Sequence, residues 1–257
     1  MNIETMMQIA DDAATAGGEV VRAAFRGARR DVRTKAPGDW VSEIDLAAED
    51  AIRVSLERAT PDIPIFGEER GGTRSARGWL VDPVDGTTNF LHHFPAVGVS
   101  IALVEDGVPV VGVVHAPLLD DRYLAGDRLG ATHNGVTMRV SERTVSTAVV
   151  ATGIPFRGHR TRLGEYMPVF NAVLEIVEDV RRVGAASLDL AWTAAGVFDA
   201  YYELNLAPWD VAAGAVLVRE AGGTVADWAG DPAAWLHSGD IVAGPEAVVL
   251  PILAKMR

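Results

Sequence analysis

The sequence predicts an α/β (α+β) protein built from two sheets with helices on their faces, and three observations carry that prediction. Apolar residues fall at helical spacing near the N-terminus, at Ile3, Met6, Met7, Ala10, Ala13 and Ala14. Two apolar runs between Val97 and Pro117 are joined at Glu105-Asp106-Gly107, where Asp-Gly marks a hairpin. Beyond residue 148, strand-like and helix-like segments alternate.

In chain order, the first helix is expected over Ile3 to Phe25 and a second from about Glu43 to Arg58. In the second, Ile44, Ala48, Ala51, Ile52 and Ser55 share a face, Ser42 can cap the start with Asp45 in the capping-box position, and Pro61 lies past the end. Strands follow at 63–66 (IPIF), 78–82 (GWLVD) and 97–117, with another turn at Asn134-Gly135. The first half therefore reads as two helices on an antiparallel meander. The second half reads as a strand (VVATGI, 149–154), helices at about Arg160 to Glu178 and Ala185 to Ala195, a strand (FDAYYEL, 198–204), a helix from Pro208 to Ala221 and a last helix from Pro245. With no repeat or long linker between them, residues 1–145 and 146–257 are expected to form one unit over 1–257.

Composition narrows the chemistry. The 257 residues are 49% hydrophobic and 23% charged, enough for a sizeable core. The absence of cysteine removes disulfides, thiolate metal sites and cysteine nucleophiles, and leaves oxygen and imidazole ligands. A net charge of -12, from 35 acids and 23 bases, disfavours nucleic acid and anionic membranes as partners. There is no apolar run of the roughly 18–20 residues that cross a bilayer, and the N-terminus lacks the pattern of a signal peptide. A soluble, cytoplasmic protein is expected, one that could take an anionic small molecule if a cation sat between ligand and acids.

The segment Trp79 to Phe90, WLVDPVDGTTNF, concentrates the candidate chemistry. Pro83 has no N–H and a fixed φ, so it is expected to end the strand's hydrogen bonding and let Asp82 and Asp85 face one pocket. The Val84 carbonyl is then available to a hard cation. After Gly86, the amides of Thr87 and its successors can open a helix and receive phosphate. Two more acid sites lie at element ends: Gly67-Glu68-Glu69 after an apolar strand, and Asp210 in Pro208-Trp209-Asp210 at the start of an apolar helix. Each acid also has a plain structural use, as turn cap, loop charge or helix-dipole residue. Trp79 and Trp209 are expected to pack and hold these ends in place. His92-His93 reads as a surface pair, since hard cations prefer oxygen.

Together, Gly67-Glu68-Glu69, Trp79 to Phe90, Trp209-Asp210-Val211-Ala212-Ala213-Gly214 and Glu220-Ala221-Gly222-Gly223 resemble, in order, the signatures of the inositol monophosphatase family of Mg²⁺-dependent, lithium-sensitive phosphatases. The likeness runs from about Lys35 to Gly244. It implies a layered αβαβα sandwich of two mainly antiparallel sheets and helix pairs, and two to three Mg²⁺ ions per subunit. By that resemblance Glu68, Asp82 and the Val84 carbonyl hold one ion, Asp82, Asp85 and Asp210 a second, and Glu68 with Glu69 a third through water. Glu68, Asp45 and Thr87 would be the catalytic residues, Thr87 with Asp45 orienting the attacking water. The Gly86 and Thr87 amides would hold phosphate, and Lys35 would stand behind the ligands.

The substrate would be read by Asp85, Gly184, Ala185, Ala186, Glu203 and Asp210. The resemblance implies direct attack of water on a small phosphate monoester such as inositol 1-phosphate, in a homodimer. The same scaffold serves fructose-1,6-bisphosphatases, histidinol-phosphatases and phosphoadenosine phosphatases, and the basic segment Pro155 to Arg162 could meet a second phosphate. A non-catalytic module that binds Mg²⁺ or a phosphometabolite is the alternative from another class. One departure stands out: Gly184-Ala185-Ala186-Ser187 replaces the common Gly-Ser/Thr-Ala-Ala, which is expected to remove a side-chain donor near the substrate. Ser42 likewise stands where threonine is common.

Overall fold

The computed structural model describes residues 1–25, 32–36, 39–155 and 161–256, with 32–36 and 39–42 described as backbone alone. The side chains of Lys35 and Ser42, and residues 156–160 of the basic segment, lie outside the described residues. Helix α1 (Ile3–Ala24) starts where the Asn2 side chain accepts from the Thr5 amide at 2.8 Å, satisfying one of the first-turn donors. Its buried stripe of Met6, Ala10, Ala13, Ala14 and Val21 packs on α2 (Glu43–Ala59) through Ala48, Ile52 and Leu56. Between them lies a hairpin of β1 (Val32–Ala36) and β2 (Asp39–Ser42).

A larger sheet follows, from β3 (Ile65–Gly67), β4 (Gly71–Gly72), β5 (Gly78–Asp85), β6 (Gly98–Glu105), β7 (Val108–Ala116), β8 (Asp121–Gly126), β9 (Gly130–His133) and β10 (Val136–Thr137). Its order is β10-β9-β8-β7-β6-β5-β3-β4, antiparallel except for β3 beside β5. The Asp106-Gly107 and Asn134-Gly135 hairpins form where expected, with positive φ at all four residues. A short helix α3 (Thr87–Leu91) leaves the end of β5.

The smaller sheet has the order β12-β11-β13-β15-β14, from β11 (Val149–Thr152), β12 (Asp179–Arg181), β13 (Ala200–Glu203), β14 (Thr224–Ala226) and β15 (Ile241–Gly244). Two of its pairs are parallel and two antiparallel, because β11, β12 and β13 are joined through α4 (Leu163–Leu174) and α5 (Ala186–Ala194) rather than by hairpins. Helices α6 (Pro208–Glu220), α7 (Trp235–Ser238) and α8 (Glu246–Leu253) complete the chain.

Period-two alternation sorts each strand between cores, and so builds the five αβαβα layers. From β6, Val99, Ile101 and Leu103 face α1 and α2, while Ala102 and Val104 face α5 and α6. From β13, Tyr201 joins the α5–α6 layer, while Ala200 and Tyr202 join Tyr166, Val169 and Val173 of α4 and Val248, Val249 and Ile252 of α8. The central pair is tight because its residues are small. A Cβ at Gly112 of β7 would lie 2.3 Å from the Ala213 carbonyl oxygen of α6, which is backbone and cannot rotate away. Gly112→Ala is therefore expected to destabilise by about 1–3 kcal/mol, the range for overpacked cores. A urea midpoint unchanged from the parent protein would show that the sheet and helix are not in this contact.

Candidate active site

The expected acids gather at the ends of elements from three layers. On β5, Asp82 pairs with Ser100 and Asp85 with Gly98, so three residue steps on β5 match two on β6. Pro83 thus does not end the strand; it sits in a bulge, and pairing resumes at Asp85. The extra residue has a chemical effect. In a regular strand, residues three apart face opposite sides, whereas the bulge lets Asp82 and Asp85 share one. The Val84 amide donates to Asp82 Oδ1 at 3.0 Å and fixes the turn of the chain.

Glu68 follows β3, held by its amide on the Val81 carbonyl at 3.1 Å. Asp210 opens α6, and its Oδ2 accepts from the Ala207 amide at 2.7 Å. An aromatic contact links these two ends, with the rings of Phe66 and Trp209 5.2 Å apart and edge to face. Trp79 is fully buried and donates to Thr60 Oγ1 at 3.0 Å, so both tryptophans pack as expected. The Thr87 hydroxyl lies 3.0 Å from Asp45 Oδ1 and 3.1 Å from the Val84 carbonyl oxygen, two acceptors for one proton. Gly86, at φ 91°, turns the chain from β5 into α3, whose first amides have no acceptor within the helix.

Crowding of like charge dominates the electrostatics. Burial pushes the Asp82 carboxyl well above the usual range, and the charges of Glu68, Asp85 and Asp210 push it further against the Val84 amide. Asp210 is raised in the same way, by burial first and then by Glu68 and Asp85. Asp85 is also raised by burial, opposed by the hydroxyl and amide of Ser187 and the amide of Ala186. Glu203, at the end of β13, rises to about 7 through burial, while the Tyr201 hydroxyl and the Arg182 charge pull the other way. Glu69, the next residue after Glu68, is half-buried; its amide donates to Glu49 and its charge acts on Arg70.

Gly184, Ala185 and Ala186 lead into α5, and the Asn89 side chain ties α3 to this segment through the Val183 carbonyl at 3.2 Å. Of the two arginines before it, Arg181 pairs with Asp179, and Arg182 is the one whose charge reaches Glu203. His92 and His93 are exposed, as expected for a surface pair.

The donor set fits a hard divalent cation in kind: all-oxygen, acidic and mutually repelling. Among the described residues, however, no three acidic or imidazole side chains are assembled into a group that could hold a metal ion as they stand. Three of the carboxylates instead spend an oxygen on protein donors, Asp82 on the Val84 amide, Asp85 on Ser187 and Asp210 on the Ala207 amide.

Three contributors are not singled out by the sequence, although Asp189 and Tyr201 lie in the stretches 181–190 and 201–203 expected to read the leaving group. Glu49 is fully buried, and its carboxylate accepts from the Glu69 amide at 2.7 Å and from Arg53 Nε at 2.7 Å, which anchors the loop carrying Glu68. It lies one turn beyond Asp45 on the inward face of α2, and an acid pair at that spacing on a buried face is the signal that could have found it. Tyr201 donates to Glu203 Oε2 at 2.5 Å. Asp189 is 1% exposed, with Oδ1 lacking a hydrogen-bond partner among the described residues.

A family model described as the inositol monophosphatase family matches residues 2–256. An inositol-1-monophosphatase of Mesorhizobium japonicum is 42% identical over 232 residues, spanning 88% of this chain and 86% of that protein. A Pseudomonas aeruginosa protein named Nus factor SuhB is 41% identical over 253 residues, 94% of this chain and 92% of that one. Among solved structures, extragenic suppressor protein suhB from Bartonella henselae matches with a TM-score of 0.91 over 98% of both chains at 36% identity.

A pH dependence follows from Glu203. Its proton is held more tightly in the folded state, so its share of stability is greatest below the ordinary value of 4.5 and is lost as pH rises to about 7. In chelator, Glu203→Gln should gain stability relative to the parent protein across that window and keep a constant margin above it. Parallel melting-temperature profiles from pH 4.5 to 7 would contradict this.

Proposed function

The chain belongs to the inositol monophosphatase family, and from that premise we propose that it is an Mg²⁺-dependent phosphatase of small monoesters, inositol 1-phosphate foremost. The observation that carries this reading is the Thr87–Asp45 pair beside the charge-coupled acids. Binding a cation or a phosphate needs no such pair, whereas orienting a nucleophilic water does. This separates a hydrolase from a non-catalytic binding module.

The assigned ligands are Glu68, Asp82, Asp85, Asp210 and the Val84 carbonyl, with Glu69 through water. Mg²⁺ bound by them would supply positive charge against the phosphoryl and leaving oxygens. Thr87, donating to Asp45, keeps a lone pair with which to accept a hydrogen bond from water and so aim the water oxygen at phosphorus. The Gly86 and Thr87 amides donate to phosphate oxygens, and Glu203 accepts from substrate hydroxyls. The segment 184–186 frames the substrate next to Asp85. Family membership supports the same reading for a homodimer and for inhibition by Li⁺.

Asp82→Asn is expected to abolish phosphate release with the circular dichroism spectrum retained, and Thr87→Ala to lower it by about 100-fold or more. Near-parental release by Asp82→Asn would exclude the mechanism. A release panel of inositol 1-phosphate, fructose 1,6-bisphosphate, histidinol phosphate and phosphoadenosine phosphate tests the substrate; inositol 1-phosphate should rank first, and a lower rank would overturn that assignment while keeping the class.

A further inference from the structure

We propose that the Ser187 hydroxyl is a positioning group for Asp85, fixing that carboxylate so that its other oxygen faces a divalent cation. This role presupposes that Asp85 is a cation ligand, as proposed above. Ser187 is completely buried in the first turn of α5, and two of its groups converge on one carboxylate oxygen. Its hydroxyl donates to Asp85 Oδ2 at 2.5 Å and its amide to the same atom at 2.6 Å. With Oδ2 held twice by Ser187 and the Ala186 amide also acting on the carboxylate, Asp85 loses its freedom to swing, and Oδ1, which Ser187 does not touch, is the oxygen turned to a cation.

The neighbouring strand is shaped for this contact. Gly98 pairs directly with Asp85 across β5 and β6, and a Cβ there would lie 2.6 Å from Ser187 Oγ. The hydroxyl has room because position 98 carries no side chain. The hydroxyl that Gly184-Ala185-Ala186-Ser187 displaces by two positions is therefore not lost; it has moved from the substrate side onto a ligand carboxylate. Donors on a ligand oxygen weaken its pull on a cation but fix its direction. In this site orientation outweighs basicity, because no solvent reaches Ser187 to replace a lost hydroxyl. Removal of such outer partners commonly costs about 10–100-fold in metal affinity.

The test is calorimetric titration of chelated protein with Mg²⁺ alone, without substrate. Ser187→Ala should weaken Mg²⁺ binding by about 10-fold. Gly98→Ala, which leaves α5 untouched, should do the same by pushing the hydroxyl off Asp85. The double variant should bind no more weakly than Ser187→Ala, since the new methyl then meets no hydroxyl. Parental Mg²⁺ affinity in Ser187→Ala, with or without a lower melting temperature, would overturn the positioning role. Asp85→Asn keeps the two readings apart: if it abolishes the Mg²⁺ heat while Ser187→Ala binds normally, the ligand assignment stands and the positioning role falls. Parental Mg²⁺ binding by Asp85→Asn would remove both.

Discussion

Repulsion among buried carboxyls is the constraint on which the site's architecture depends. Asp82 is 2% exposed and feels Glu68, Asp85 and Asp210 at once, an arrangement that no folded chain adopts by default because each neighbour raises the proton affinity of the rest. It persists because each acid is fixed by backbone. The Val84 amide holds Asp82, the Ser187 amide holds Asp85 and the Ala207 amide holds Asp210. Such a cluster is relieved by protons or by cations, and at neutral pH a divalent cation is the more effective of the two.

Holding these groups together is the work of the layers. The acids arrive from β3, β5 and α6, their outer partners from α2, α5 and β13, so the geometry of the site is set by how the layers pack. The small residues where α6 meets β7 and the edge-to-face contact of Phe66 with Trp209 keep those ends in register. Glu49 does the same for the loop after β3. Positioning on helix and strand ends, with rigid apolar bodies behind them, is what lets a hydroxyl such as Thr87 keep one orientation toward Asp45.

Features set by local sequence were legible in advance. Helical spacing located α1 and α2 to within a residue, Asp106-Gly107 located a hairpin, and Asp82, Asp85, Glu68 and Asp210 were recognisable because each closes or opens an apolar segment. What escaped was set by tertiary structure. Strands β12 and β14 are three residues long, too short for a period, and take their form from neighbours in the sheet. Pro83 reads as a strand stop, yet β6 restores pairing beyond it. Ser187 lies 102 residues from Asp85, and only folding shows that its hydroxyl is kept for that carboxylate.

If unrelieved charge is what the acids share, Mg²⁺ must displace protons from them. Calorimetry of Mg²⁺ binding in buffers of different ionisation heat counts those protons directly. Raised proton affinity of Asp82, Asp85 and Asp210 predicts net proton release that is largest in the acid range and declines as pH rises. Binding heats that show no proton release at any pH in that range would contradict a charge-coupled cluster awaiting a cation.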